Sequence, residues 1–128
     1  MKVKDPLFIL YVHDMDRALK FYRDTFSLQV VQNTPGWSML RCDGATIALH
    51  LLAPDSPESV IPYAGLNLHV EDLDAGIAAV LADGGEHIVT REATDFVPDR
   101  VCELRDTEGN GFELRQFVAA GEDLAAIV

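Results

Sequence analysis

Two histidines and a carboxylate, His50, His69 and Glu113, are the residue types that hold non-haem iron. A glutamate such as Glu113 can also act as a general base or grip a cationic group. Tyr11 and Trp37 offer flat aromatic surfaces for stacking, and Asn67 and Arg115 bring an amide and a guanidinium that can orient a polar ligand. Motifs with a fixed mechanism are missing: the chain contains no Gly-x-Gly-x-x-Gly, Walker loop, Cys-x-x-Cys or His-Glu-x-x-His. Ser27, Ser38, Ser56 and Ser59 lack nucleophile-elbow surroundings, and Cys42 and Cys102 share no motif, so they read as reduced, buried thiols.

Composition narrows the field. The 128 residues are 48% hydrophobic and 24% charged, the balance of one globular domain. Ten basic against twenty-one acidic side chains give a net charge of −11, which repels phosphate backbones and anionic lipid and argues against nucleic-acid or membrane partners. The apolar run Leu7 to Val12 is too short for a membrane span of about 20 residues or for a signal-peptide core. A cytoplasmic protein is expected.

The elements that must position these residues come as an internal repeat. Val12-His13-Asp14-Met15-Asp16 returns as Val70-Glu71-Asp72-Leu73-Asp74, 58 positions later, and the same offset places Leu19 on Ile77 and Val30-Val31 on Ile88-Val89. Asp43-Gly44-Ala45 to Leu49 then matches Glu108-Gly109-Asn110 to Leu114 at an offset of 65, which assigns seven extra residues to the second copy's Thr94–Arg100 loop. Each copy opens with a hydrophobic strand ending at an aspartate that can cap a helix. Met15, Ala18, Leu19, Tyr22 and Phe26 stripe the first helix; Leu73, Ile77, Val80 and Leu81 stripe the second, and Gly84-Gly85 stops it. Strands are expected near 28–33, 36–42 and 45–52, then 86–91, 99–105 and 110–117, with Gly109-Asn110-Gly111 as a turn between the last two. The unit is βαβββ used twice: module one at 5–52, an irregular proline-containing connector at 53–63, module two at 64–118, and a tail or short helix at 119–128.

This pattern resembles the vicinal oxygen chelate superfamily, the glyoxalase, bleomycin-resistance and extradiol-dioxygenase fold. The resemblance rests on Val12-His13-Asp14-Met15-Asp16-Arg17-Ala18-Leu19-Lys20-Phe21-Tyr22 and on Arg105-Asp106-Thr107-Glu108-Gly109-Asn110-Gly111-Phe112-Glu113-Leu114. It implies an α+β fold in which two curved sheets make an incomplete barrel around a central cavity, and it implies a homodimer. Strand alternation then turns Leu7, Ile9, Tyr11, Ala48 and His50 toward that cavity from the first copy, and Gly65, Asn67, His69, Glu113 and Arg115 from the second.

The superfamily's metal ligands would fall on Leu7, Ala48, Gly65 and Glu113, and only Glu113 can donate. One carboxylate does not hold a divalent ion, since zinc takes about four donors and calcium or magnesium about six. No cofactor is therefore expected, and the favoured function is sequestration of a cationic or aromatic small molecule by Tyr11, Trp37, His50, Asn67, His69, Glu113 and Arg115. The alternative is an enzyme: a lyase, isomerase or dioxygenase with a divalent metal on a displaced His50, His69 and Glu113 set, or a metal-free catalyst built on Glu113. A ligand-sensing accessory domain is the third reading.

Overall fold

In a computed structural model of the chain, which describes residues 1–2, 4–62, 65–95 and 98–117, both copies of the repeat form a four-stranded sheet covered on one face by a helix. The elements follow in the order β1 (Phe8–Val12), α1 (Met15–Phe26), β2 (Gln29–Asn33), β3 (Trp37–Cys42), β4 (Ala45–Leu51), β5 (Asn67–His69), α2 (Leu73–Ala82), β6 (Glu86–Arg91), β7 (Asp99–Arg105) and β8 (Gly111–Phe117). Sheet one has the order β1-β4-β3-β2 and sheet two β5-β8-β7-β6. In both, the first and last strands run parallel and the other pairs antiparallel. This is the expected α+β architecture, with neither sheet closed on itself. The tail at 119–128 lies outside the described residues. Among those described, no helix is long and apolar enough to cross a membrane.

The aspartates cap as their chemistry requires: Asp14 Oδ1 accepts the amide of Arg17 at 3.0 Å, and Asp72 Oδ1 accepts that of Ala75 at 3.1 Å. Period two in the strands and 3.6 in the helices then set the core. Leu10, Val12, Leu40, Ile47 and Leu49 turn to α1, and Cys102, Leu104, Phe112 and Leu114 turn to α2, all at most 1% exposed. Phe21, absent from the expected stripe, is buried where its ring meets Phe112 of the other module at 6.3 Å. Leu81, expected inside, is 47% exposed, because the short α2 turns only Leu73 and Val80 fully onto its sheet.

The seven extra residues are shared between two places rather than held in one loop. Residues 92–98 join β6 to β7 where 34–36 suffice in the first copy, and 106–110 join β7 to β8 where 43–44 suffice. Cys102 is buried and Cys42 half-buried, both free thiols pushed upward in pKa by burial.

The Gly84-Gly85 pair stops α2 for two separate reasons. Gly84 holds a φ of +96°, the left-handed region glycine tolerates. Gly85 is a close approach: a Cβ there would lie 2.4 Å from Val80 Cγ1 and 2.8 Å from the Arg105 carbonyl oxygen. G85A is expected to cost about 1–3 kcal/mol by overpacking, whereas G44A, with nothing within 4 Å of the new methyl, should stay within about 0.5 kcal/mol. Thermal denaturation of both variants checks the contrast.

Candidate functional site

On the face of sheet one that α1 leaves open, pairing registers Tyr11 with His50 and His50 with Trp37. The three rings form one row across β1, β4 and β3, with centroids 5.6 Å apart for Tyr11–His50 and 5.7 Å for Trp37–His50. Ile9, Ala48 and Met39 make the next row on the same face. Trp37 is positioned by the 34–36 turn, where the Thr34 amide donates to the Trp37 carbonyl at 3.0 Å and the Trp37 amide donates to Thr34 Oγ1 at 3.1 Å. His50 is exposed; Tyr11 and Trp37 are half-buried. Glu58, in the connector, bonds the Ser56 hydroxyl, which together with its own backbone and the charge of His50 holds its carboxyl below the usual range.

Sheet two presents a polar face. Asn67, Glu113 and Glu103 share one row; His69, Arg115 and Val101 share the next. The amide of Asn67 joins charges of both signs: Nδ2 donates to Glu113 Oε1 at 3.3 Å, while Oδ1 accepts from Arg115 Nε at 2.8 Å. Arg115 also pairs with Asp99 at 3.2 Å, and Arg91 with Glu103 at 3.4 Å. The structure therefore groups Asn67, Glu113 and Arg115 on one sheet and Tyr11, Trp37 and His50 on the other.

His50 of β4 is not gathered with His69 of β5 and Glu113 of β8: among the described residues, no three His, Cys, Asp or Glu side chains are set to hold a metal. The displaced set is thus not brought together among the described residues; two of its members belong to sheet two and the third to sheet one. At the superfamily's ligand positions, Leu7 precedes β1, Gly65 precedes β5, and Ala48 is fully buried. His13 and His87 are exposed, His87 Nε2 lying 2.8 Å from Thr90 Oγ1.

A second set of polar residues joins the modules and was not singled out from sequence. The Tyr22 hydroxyl, wholly buried, donates to Asp106 Oδ2 at 2.6 Å. Asp106 Oδ1 takes the amides of Glu108 and Asn110, each at 2.8 Å. Glu108 Oε1 takes the amides of His13 at 2.6 Å and Asp14 at 2.9 Å, and its Oε2 takes Arg17 Nε at 2.8 Å. Asn110 Nδ2 donates to the Tyr11 carbonyl at 2.8 Å. The 106–110 turn therefore anchors the strand that carries Tyr11 and completes the N-terminus of α1. The signal in sequence was an Asp-x-Glu-x-Asn spacing, whose partners lie more than 80 residues away.

The two carboxylates of this clasp titrate in opposite directions. Burial raises Asp106 above its ordinary value and outweighs its hydrogen bonds to Tyr22 and Asn110. Burial also opposes the charge of Glu108, but Arg17, the two amides and Thr107 outweigh it and the net shift is downward. A carboxyl depressed by folding stabilises above its unfolded pKa of about 4.3 and loses that contribution as pH falls through the lower folded value. Raised Asp106 has the reverse sign: its contribution is complete below about pH 3.9 and declines as pH rises through the folded value. E108Q is expected to be less stable than wild type at neutral pH, with the gap narrowing as the pH falls below about 4. Urea unfolding at each pH gives the gap directly.

Comparison with known proteins follows the fold. The model of the glyoxalase/bleomycin resistance protein/dioxygenase superfamily matches residues 6–114. No curated protein matches the sequence. Among solved structures, the chain is similar to an enzyme of that family from Burkholderia phytofirmans PsJN, at 20% identity and a TM-score of 0.76, over 91% of this chain and 100% of that one. It is also similar to the fosfomycin resistance protein FosX from Listeria monocytogenes, complexed with Mn(II) and sulfate, at 16% identity and 0.73, over 92% and 93%. The antibiotic-binding protein TnmS3 from Streptomyces sp. CB03234 matches at 24% identity and 0.62, over 91% and 98%. At these identities the structural likeness establishes the fold. With the matched family model, the duplicated βαβββ unit and the two open-faced sheets, the chain belongs to the glyoxalase/bleomycin resistance protein/dioxygenase superfamily.

Proposed function

We propose that this chain is a cytoplasmic small-molecule-binding protein that works as a homodimer, without the superfamily's usual metal, and sequesters a cationic aromatic ligand. The observation that carries the reading is the row of Tyr11, His50 and Trp37 rings on the open face of sheet one. Such a row stacks on a planar ligand and attracts positive charge through the ring faces. Leucine, glycine and alanine at positions 7, 65 and 48 support the metal-free part, since none carries a donor side chain. The net charge of −11 concentrates cations near the surface. Glu113 and Glu103 on sheet two supply carboxylates that the strands of sheet one lack on their open face, so a ligand held between sheet one of one copy and sheet two of another meets rings on one side and acid on the other. Leu7, Phe8 and Ile9 at the edge strand, 38–44% exposed, offer apolar surface for that contact.

Trp37 is the only tryptophan, so its fluorescence reports the site. Titration with a planar cation such as 9-aminoacridine and with glycopeptide antibiotics should give saturable quenching and a rise in melting temperature, a ligand at 100 times its Kd adding about 2.7 kcal/mol. No quenching and no shift across the panel would overturn the reading. Sedimentation equilibrium tests the dimer.

A further inference from the structure

The duplicated modules are not filled alike. Beside β1 and the end of α2, the space is taken by the 106–110 turn: Asn110 binds the Tyr11 carbonyl, and a Cβ at Gly84 would lie 3.2 Å from Thr107 Cγ2. Among the described residues, the equivalent space beside β5 and the end of α1 is bordered by the shorter, two-residue Asp43-Gly44 turn. A groove of about 570 Å³ lies there, with Phe26 and Leu28 from the first module and Leu68 and Val70 from the second among its walls. All four side chains pack on the core yet remain only partly buried, so each keeps apolar surface toward the groove. Asp43 adds an exposed carboxylate, His69 also borders the groove, and no lysine or arginine lines it among the described residues.

We infer that this intermodule groove is a second binding site, separate from the Tyr11, His50 and Trp37 row, that takes a small apolar cation of the arylalkylammonium class. Its volume falls within the roughly 300–1,000 Å³ of small-molecule sites. Its apolar walls accept a ring, and the Asp43 carboxylate, within a strongly acidic protein, selects positive over negative charge.

The test is an amide-resolved NMR titration of the full chain with 1-naphthylmethylammonium and, in parallel, with the anion 1-naphthoate. Saturable shifts at Phe26–Leu28, Asp43 and Leu68–Val70 with the cation alone are expected. D43N removes the charge and keeps a residue that tolerates the left-handed φ of +50° found there, and it should weaken binding about threefold to fivefold, the scale of an exposed ion pair. Shifts confined to the Tyr11, His50 and Trp37 row, equal shifts with the naphthoate, or the same affinity in D43N would each overturn the inference.

Discussion

D106A should destabilise the protein by about 3–5 kcal/mol, a large share of the roughly 5–15 kcal/mol that holds a domain of this size together. The reason lies in what the carboxylate satisfies. Tyr22 Oη, Asn110 Nδ2 and the amides of Glu108 and Asn110 all donate to it, and Asp106, Glu108 and Asn110 are each at most 5% exposed. Truncation strands these donors in a space too closed for each to find water, at about 1–3 kcal/mol for every donor left unsatisfied. Y22F removes a single donor and leaves the turn intact, so about 1 kcal/mol is expected. Urea denaturation should show the midpoint falling far more for D106A than for Y22F, at unchanged m-value. A loss below about 1 kcal/mol for D106A would show that the turn contributes little to joining the modules. Ligand affinity should fall along with stability, because Asn110, held by Asp106, fixes the carbonyl of Tyr11.

W37A is expected to weaken binding of a planar cation at least about 30-fold, or about 2 kcal/mol, measured by calorimetry. Trp37 combines the largest stacking surface of the row with the strongest cation attraction among aromatic side chains. W37F keeps a ring at the same place and should recover most of the affinity. Trp37 sits half-buried at the start of β3, outside the helix-facing core, so the folded state should survive the change. Wild-type affinity in W37A would show that the ring row is not where the planar cation binds.

Much of the fold was legible in the sequence because its causes are local or periodic. Asp14 and Asp72 cap because a short acceptor reaches the first-turn amides. The alternation that turned Tyr11 and His50 to one face, and Asn67, Glu113 and Arg115 to another, follows from the pleat, whereas the place of Trp37 beside His50 came from the β3–β4 register. The repeat fixed the order of elements and the resemblance that the family match bears out.

What the sequence could not determine depends on distances between residues far apart in the chain. Three inward-facing residues, His50, His69 and Glu113, look like one set until the sheets separate them, since alternation states which face a side chain occupies and not which faces meet. Asp106, Glu108 and Asn110 look like ordinary turn residues, and only tertiary packing buries them against Tyr22 and the N-terminus of α1. The intermodule groove is of the same kind: it follows from two turns of unequal length meeting different neighbours, a difference that has no local signature. Local hydrogen bonding and side-chain period thus set the elements and their faces, while the docking of one module on the other decided which polar groups were buried as structure and which stayed on the open faces of the sheets.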